Sequence, residues 1–515
     1  MKNKFLLPLI IILGLFLRLW QLPNLPPSLN WDEVSLGYNA YSILKTGRDE
    51  WGTKLPLIFR AYGDYKLPVY IYASIPFIAL FGLNLWTVKI ISVLAGTALI
   101  YIACLTVKKI TKNQFLSLVA AALIAFSPWS IFLSRIALEA NLFLFLFATC
   151  FYFLISKKLL LSNLFFSLCL FTYNSSRVLL PFYLLALIYI LSKEKIKIKF
   201  LDFLPLIISL LILIFQFSNQ SATARYQWVS LLDQGAINRI NELRSHYPRL
   251  LVNKATYFTY QASKNYLAHF NPFYLFKNGG SHYQFNIPNF PLLFPFLFIF
   301  LILAFYYLST HLNTIHYLLI FFFLVSPIPS AITRDAPHIL RSLTFVYFAT
   351  IIISLGFSRF KEQALLILTL LFLGATSFFW PKYKQYSLTY SQSWQYGYSQ
   401  IVDYLKSNYQ HFDHFIISKK YGEAHEFILF YWPWDPQHYQ QDPQKKWNFH
   451  SDWYWLDAFD KFTFIDDWDI KKLATPTGKT LLITSPGNYN QHNFQKINTI
   501  YFLDHSPAFD IVTHE

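Results

Sequence analysis

Residues 86–107 read WTVKIISVLAGTALIYIACLTV, an apolar run that Lys108, Lys109 and Lys112 follow directly. A helix of about 17–25 such residues crosses the hydrocarbon core of a bilayer, where lipid offers the backbone no other hydrogen-bond partner. The sequence therefore predicts a polytopic α-helical membrane protein with about 11 transmembrane helices. Comparable runs lie at 5–22, 115–133, 140–156, 159–173, 177–192, 200–217, 290–308, 315–329, 341–357 and 363–380.

The composition also indicates a membrane protein. Hydrophobic residues make up 55% of the sequence and charged residues only 14%, against about 25% charged residues in soluble domains. The net charge of +16 comes from lysines and arginines that are spread among the apolar runs. We therefore expect these side chains to contact anionic membrane lipids, and we expect no nucleic acid as a partner.

Basic residues in short loops predict the orientation, because lysine and arginine near span ends are retained in the cytoplasm. The basic residues of these loops all lie on one side of the membrane only if the stretch 68–83 does not cross the bilayer. Pro68 and Pro76 favour a re-entrant or surface-lying helix there. The protein is then a multi-pass protein of the cell membrane with a cytoplasmic N-terminus. The basic residues are Lys2, Lys4, Lys108, Lys109, Lys112, Lys157, Lys158, Lys193, Lys195, Lys197, Lys199, Arg359 and Lys361.

Large outer segments follow from this orientation, namely 23–85, 218–289 and the tail 381–515. The tail contains charged residues, His and Trp in place of long Leu and Ile runs. Within it, Tyr398–Leu405 has a helical pattern, while Phe415–Ser418 and Thr480–Thr484 read as buried strands. We predict a transmembrane domain over 1–380 and a small extracytoplasmic soluble α/β domain over 381–515.

Ionisable residues are almost absent from the centres of the predicted spans. An ion-coupled transporter keeps acids or bases at the membrane midplane, where it holds its substrate. The acids lie instead at the outer ends of spans, at Asp32, Glu33, Asp64 and Glu139. This pattern favours a reaction site at the outer interface.

The acidic pair Asp32 and Glu33 has two interpretations. A carboxylate fixed at the outer interface can act as a general base for a hydroxyl group or as a metal ligand. Alternatively, Asn30 followed by Glu33 fits a capping box at the start of a helix. The spacing alone leaves both open.

Basic residues near the same interface also have a structural and a functional interpretation. Arg135 precedes Glu139 by four residues, which suits either an ion pair on one helical face or a phosphate contact. Arg177 at another span end can simply extend to the interface. The proline-broken segment 327–341 either anchors a loop or binds a phosphate diester from the lipid side through Arg334, His338 and Arg341.

Three motifs, in this order and on the predicted outer side, resemble those of the GT-C glycosyltransferases of family 39. That family includes protein O-mannosyltransferases and the lipid A aminoarabinose transferase. The resemblance covers about residues 1–190 and continues as hydropathy to residue 380. The motifs are Trp31-Asp32-Glu33, Lys66-Leu67-Pro68-Val69-Tyr70 with residues 77–84 behind it, and Ser134-Arg135-Ile136-Ala137-Leu138-Glu139.

The resemblance implies a GT-C fold and a catalytic role for the transmembrane domain. A sugar would pass from a polyprenyl-phosphate donor to a glycan, lipid or protein acceptor on the extracytoplasmic side, with inversion at the anomeric carbon. Asp32 matches the proposed catalytic base of the family, with Glu33 beside it, and Glu139 stands at its second acidic position. Residues expected to contact the donor phosphate are Lys66, Arg135, Arg177, Arg334, His338 and Arg341.

The resemblance leaves the need for a divalent cation open. In the aminoarabinose transferases, an acid directly precedes the lysine of the second motif and helps to hold a metal. Tyr65 stands at that position here, and Asp64 lies one residue earlier. Asp64 is therefore the candidate metal ligand, and no cofactor is certain.

Two other functions fit the same pattern of residues. A lipid-linked sugar flippase would use the basic outer residues as docking points. A non-catalytic envelope-assembly protein would bind polysaccharide or other proteins through the aromatic stretch Tyr431-Trp432-Pro433-Trp434. The identity of the sugar, the acceptor and the oligomeric state is not encoded in any pattern of the sequence.

Overall fold

The structure, a computed structural model, describes residues 5–218, 228–280, 282–360 and 364–514. Lys2, Lys4 and Lys361 lie outside these ranges, as does part of the predicted outer segment 218–289. The chain forms two compact units. We call residues 1–20 and 92–382 the helical unit, and residues 21–91 and 383–515 the α/β unit.

Apolar helices correspond to every predicted span up to residue 218, with two further helices in the first outer segment. These helices are α1 (Leu6–Leu19), α2 (Trp31–Thr46), α3 (Pro68–Phe81), α4 (Leu85–Thr111), α5 (Gln114–Phe126), α6 (Pro128–Ser134), α7 (Glu139–Ile155), α8 (Leu159–Leu170), α9 (Ser175–Lys193) and α10 (Phe200–Ser218). A short hairpin of β1 (Phe59–Arg60) and β2 (Tyr65–Lys66) precedes α3.

The remainder of the chain contains both helices and strands. Its helices are α11 (Gln234–Arg244), α12 (Lys254–His269), α13 (Leu297–Thr310), α14 (Thr314–Val325), α15 (Ile328–Ala331), α16 (Leu343–Leu355), α17 (Ala364–Thr389), α18 (Tyr398–Asn408), α19 (Ala424–Tyr431) and α20 (Pro436–Gln441). Its strands are β3 (His414–Ser418), β4 (Lys446–His450), β5 (Trp453–Phe459), β6 (Phe462–Ile465), β7 (Thr480–Thr484), β8 (Gln495–Tyr501) and β9 (Pro507–His514).

The apolar helices identify a multi-pass membrane protein. Within the described ranges, four helices are long and apolar enough to cross a bilayer alone: Leu85–Thr111, Ser175–Lys193, Phe200–Phe217 and Thr314–Ala331. Other apolar helices, such as α1, α7 and α16, have only 10–17 residues. The prediction of about 11 spans counted these shorter helices as crossings.

Prolines divide two of the segments that the sequence predicts as continuous spans. The run 115–133 forms α5 and α6, which meet at an angle of 55°. Ser127 is extended and Pro128 begins α6, because proline cannot continue the hydrogen-bond ladder of the preceding helix. In the run 290–308, Pro291 and Pro295 lie in the non-helical part and the helix begins only at Leu297.

Helix α3 is the stretch for which the sequence predicts a re-entrant or surface-lying helix. It has 14 residues with Pro76 inside, fewer than the roughly 20 that a span needs. The buried Tyr70 hydroxyl donates a hydrogen bond to the carbonyl of Val88 at 2.8 Å. Its position relative to the bilayer stays a prediction.

Arg18 stabilises the break between α5 and α6. Pro128 has no N–H for the carbonyl of Ile124, and the N–H of Trp129 bonds to Leu292 instead of Ala125. The Arg18 guanidinium donates to both of these carbonyls, at 3.2 and 3.3 Å. It also donates to Gly14, Ser130 and Ser134. Arg18 is completely buried.

A seven-stranded mixed sheet forms the centre of the α/β unit, in the order β4-β5-β6-β3-β7-β9-β8. Strand β3 pairs in parallel with β6 and β7, and the other pairs are antiparallel. Strands β3 and β7 and helix α18 confirm the α/β character that the sequence predicts for the tail. All five residues of β7 are buried, as its continuous apolar pattern indicates.

Residues 21–91 contribute to the core of the same unit. The Trp51 ring stacks on Trp447 at a centroid distance of 4.0 Å. The N–H of Tyr454 donates to the carbonyl of Tyr62 at 2.7 Å. The segment that carries Asp32 and Lys66 is therefore held by the sheet that the tail forms. The functional division at residue 380 stays a prediction.

Candidate active site

The first turn of α2 contains the acidic pair, and a capping box fixes it. The Asn30 side chain accepts a hydrogen bond from the N–H of Glu33 at 3.0 Å, and the Glu33 carboxylate accepts one from the N–H of Asn30 at 3.1 Å. Both residues are buried. The structural interpretation of Glu33 is thus confirmed, and its catalytic role stays a prediction. Asp32, one residue earlier, is the exposed member of the pair.

Asp32 forms an ion pair with Lys66. The Lys66 ammonium lies 2.5 Å from Asp32 Oδ1, and the two side chains are 9% and 41% exposed. The β1–β2 hairpin ends at Lys66, and the extended Leu67 then leads to Pro68 at the start of α3. Two separate motifs of the sequence therefore meet at one point. A carboxylate that is charge-balanced yet accessible to a substrate hydroxyl suits a general base.

Asp64 lies in the turn of the β1–β2 hairpin and is half-buried. Its carbonyl accepts a hydrogen bond from the N–H of Ala61 at 3.0 Å. A role for its carboxylate in metal binding stays a prediction.

Arg135 and Glu139 occupy the junction of two helices in the helical unit. Arg135 is the C-cap residue of α6, and Glu139 is the first residue of α7. The prediction that they share one helical face is therefore wrong, because the chain leaves helical geometry between them. Arg135 is fully buried, and its guanidinium donates to the carbonyls of Leu17 and Arg18 at 3.0 Å each. Glu139 lies at a helix N-terminus, where the helix dipole favours a carboxylate.

Arg177 belongs to the first turn of α9. Its guanidinium donates to the side-chain oxygen of Gln216 in α10 at 3.1 Å. Arg177 is half-buried. It therefore joins two helices in addition to any interfacial or phosphate-binding role.

The three predicted residues of segment 327–341 lie close together. The Arg341 guanidinium donates to the hydroxyl of Thr333 at 3.0 Å and to the carbonyl of Arg334 at 2.8 Å. The Arg334 guanidinium lies 3.9 Å from an Asp233 carboxylate oxygen. His338 is buried, and its N–H donates to the hydroxyl of Ser330 at 2.9 Å. We call Arg334, His338 and Arg341 the basic segment.

A residue that the sequence does not single out lies beside the basic segment. The His282 ring is 5.5 Å from the His338 ring, centroid to centroid. Burial lowers the pKa of His282, with a smaller lowering from the nearby Arg341. No local pattern marks His282, because only the folded chain brings it to the basic segment.

Comparison with protein families identifies the class of this chain. Residues 9–194 match the family described as "Dolichyl-phosphate-mannose-protein mannosyltransferase". This range contains all three motifs. Residues 9–194 therefore match a GT-C glycosyltransferase domain of the family 39 type. No curated protein matches the sequence.

Solved structures support the GT-C fold. The crystal structure of ArnT from Cupriavidus metallidurans bound to undecaprenyl phosphate covers 99% of this chain and 97% of its own, with a TM-score of 0.55 at 10% identity. The apo state of ArnT gives the same TM-score. The Archaeoglobus fulgidus oligosaccharyltransferase tethered with an acceptor peptide covers 83% of this chain and 63% of its own, with a TM-score of 0.48 at 12% identity.

These findings confirm three predictions. The chain resembles the GT-C family 39 enzymes, it has a polytopic helical fold with a C-terminal sheet domain, and it is a glycosyltransferase. The structure groups the site residues by unit. The α/β unit contains Asp32, Glu33, Asp64 and Lys66, while the helical unit contains Arg135, Glu139, Arg177, Arg334, His338 and Arg341.

Proposed function

We propose that this GT-C enzyme transfers a sugar from a polyprenyl-phosphate donor to an acceptor hydroxyl on the extracytoplasmic side, with inversion of the anomeric carbon. The observation that carries the proposal is the accessible Asp32 carboxylate held by Lys66. The description of the matching family names dolichyl-phosphate-mannose, and ArnT was crystallised with undecaprenyl phosphate. The acceptor itself, whether glycan, lipid or protein, is not specified by these findings.

Asp32 acts as the general base in the proposed reaction. An inverting transfer needs one group that takes the proton of the acceptor hydroxyl as its oxygen attacks the anomeric carbon. The carbon–oxygen bond to the donor phosphate breaks in the same step, and the phosphate leaves with the electron pair. Lys66 keeps Asp32 oriented through the 2.5 Å contact. A catalytic role for Glu139 in the helical unit stays a prediction.

The basic segment binds the donor phosphate in this proposal. Guanidinium groups pair with phosphate oxygens through two parallel hydrogen bonds and stabilise the charge that develops on the leaving group. Arg334 is 44% exposed and Arg341 is half-buried. Both guanidinium groups therefore stay accessible to a phosphate although each contacts a neighbouring residue. Lys66, Arg135 and Arg177 stay predictions as further phosphate contacts.

An apolar groove in the helical unit suits the isoprenoid chain of such a donor. It has a volume of about 880 Å³, and its walls come from the non-helical stretch before α13 and from α17. Phe290 also lines a small neighbouring cavity with Ile339 of segment 327–341. The groove is lined by Phe290, Phe294, Phe296, Leu370, Leu371 and Phe378, among others.

We further propose that the N-terminus is cytoplasmic and the α/β unit extracytoplasmic. Lys108 and Lys109 lie in the last turn of α4, and Lys112 lies between α4 and α5. Lys157 and Lys158 lie between α7 and α8. These positions agree with the retention of basic loops in the cytoplasm.

Reconstitution tests the proposed reaction. Liposomes containing the purified protein should convert a radiolabelled polyprenyl-phosphate sugar to free polyprenyl phosphate plus a labelled product when a cell-envelope extract supplies the acceptor. Mannose, glucose and aminoarabinose donors would be compared. Movement of intact donor across the bilayer without bond cleavage would instead identify a flippase. Binding of envelope polysaccharide with neither movement nor cleavage would identify an assembly protein.

Replacing Arg341 by Ala should raise the KM for the lipid-phosphate donor by about tenfold or more, the effect of losing one charge-assisted hydrogen bond. The charge-retaining variant Arg341→Lys should recover part of the loss. Thr333→Val is the matched control, because it removes the Arg341–Thr333 hydrogen bond while keeping the guanidinium. A donor KM that stays constant in Arg341→Ala, or that rises equally in Thr333→Val, would assign Arg341 to loop anchoring.

A further inference from the structure

A buried cluster of carboxylates and one histidine lies inside the α/β unit. Glu50 belongs to the segment between α2 and β1, and His425 and Glu426 belong to the first turn of α19. One ligand atom from each residue lies within 4.8 Å of the other two, and all three residues are at most 2% exposed. No pattern in the sequence indicates this cluster, because Glu50 and His425 are far apart along the chain.

We propose that Glu50, His425 and Glu426 bind a Zn²⁺ ion that ties the segment after α2 to α19. Zinc prefers imidazole nitrogen and carboxylate oxygen at about 2.0–2.2 Å. Ligand atoms of a tetrahedral ion then stand roughly 3.4 Å apart, so small side-chain rotations close the observed cluster around an ion.

The histidine is oriented as a zinc ligand requires. His425 Nδ1 lies 3.4 Å from Oε2 of Glu423, and the other Glu423 oxygen accepts a hydrogen bond from the Trp453 indole. A carboxylate on the Nδ1 side, at this distance, is the kind of partner found behind a metal-bound imidazole, and it would leave Nε2 for the metal. The Nε2 atom points toward Glu426, at 3.9 Å from Oε1.

Glu50 is held in the same way by a neighbour. The Asn39 side chain donates to Glu50 Oε1 at 3.0 Å, and the N–H of Glu50 donates to Asn39 Oδ1 at 3.2 Å. These two bonds fix one carboxylate oxygen and the backbone. The second carboxylate oxygen of Glu50, Oε2, is buried and does not take part in these two bonds.

Several polar atoms of the cluster are buried without a hydrogen bond of good geometry in the described part of the chain, although Glu426 interacts with the side chains of Glu50 and Tyr62. They include Oε2 of Glu50, both carboxylate oxygens of Glu426 and Nε2 of His425. A buried carboxylate without a donor is costly, and native proteins rarely keep several at one point. An ion with two positive charges would satisfy all of these atoms at once.

Metal analysis of the full-length protein tests the site without measuring transfer. Protein stripped with a chelator and dialysed against ZnCl₂ should retain about one Zn²⁺ that the Glu426→Gln and His425→Gln variants lose, with a Kd higher on the order of 100-fold. Glu423→Gln should weaken binding by about 10–100-fold, since it acts through His425. The thermal unfolding temperature should rise with ZnCl₂ in the wild type but not in Glu426→Gln or His425→Gln.

The controls separate this site from adventitious binding. Glu242→Gln and His438→Gln make the same chemical changes at exposed positions and should bind Zn²⁺ as the wild type does. Asp64→Asn should also retain the ion. Equal binding by wild type, Glu426→Gln and His425→Gln would overturn the proposal. So would a wild type that binds no Zn²⁺ and is stabilised by Glu426→Gln, because Glu50 and Glu426 would then share a proton.

The glutamine variants should fold, because burial already favours the uncharged forms of these side chains. Circular dichroism of each variant checks this before metal is added. Loss of Zn²⁺ binding with unchanged transfer would leave the proposed function standing. A protein that contains Zn²⁺ normally but shows no sugar transfer would leave the Zn²⁺ site standing and contradict the proposed function.

Discussion

Replacing Asp32 by Asn should lower the rate of sugar transfer by a factor on the order of 10² or more, because the amide cannot take the acceptor proton. Asparagine keeps the size of the side chain and can still accept a hydrogen bond from Lys66, so the geometry around the 2.5 Å contact is largely retained. The rate would be measured as kcat at saturating donor with the reconstituted enzyme. Donor KM should change little, since Asp32 is not proposed to touch the phosphate.

Asp452→Asn is the matched control for this substitution. Asp452 is exposed and has a φ of +58°, a backbone region that asparagine tolerates well. This variant should transfer sugar at the normal rate. A normal rate in Asp32→Asn as well would exclude Asp32 as the base and would make Glu139 the next acid to test.

The second large effect concerns the stability of the helical unit. Arg18→Leu should reduce the free energy of unfolding by about 2–6 kcal/mol, because each of two buried carbonyls that loses its donor costs about 1–3 kcal/mol. The leucine leaves the carbonyls of Ile124 and Ala125 without the donor that replaces their helical partners. Unfolding in mixed micelles with increasing denaturing detergent would measure the change.

Arg359→Leu makes the same chemical change at an exposed position near the end of α16. It should alter stability by less than about 1 kcal/mol, since it removes a surface cation–π contact with Tyr306. The free energy of unfolding of Arg18→Lys should lie between those of Arg18→Leu and Arg359→Leu, because one ammonium cannot reach acceptors on both sides as a guanidinium does. Equal unfolding curves for Arg18→Leu and Arg359→Leu would contradict the bracing role of Arg18.

Local patterns in the sequence predicted local structure well. The capping box of Asn30 and Glu33 forms because both hydrogen bonds lie within one turn. The strand Thr480–Thr484 was predicted from its apolar run and is buried at every position. The meeting of Asp32 and Lys66 was not predicted by spacing, yet both residues were selected because each matched a family motif.

Features that depend on packing were missed for physical reasons. The segment 115–133 is apolar throughout, so hydropathy could not reveal that another helix supplies hydrogen bonds at Pro128. The four-residue spacing of Arg135 and Glu139 suggested one helix, but tertiary contacts end α6 before Glu139. The cluster of Glu50, His425 and Glu426 combines distant segments, and its residues have no characteristic spacing.

The dependence of α5 and α6 on Arg18 has a consequence for biosynthesis. Four of the five acceptors of the guanidinium lie 106–116 residues further along the chain, so the ribosome releases α1 long before these four exist. Until then the charge must stay hydrated or shielded by the insertion machinery, because bare hydrocarbon disfavours it. Helix α1 therefore reaches its final packing only after α5 and α6 have been synthesised, which makes its packing a late event in membrane insertion.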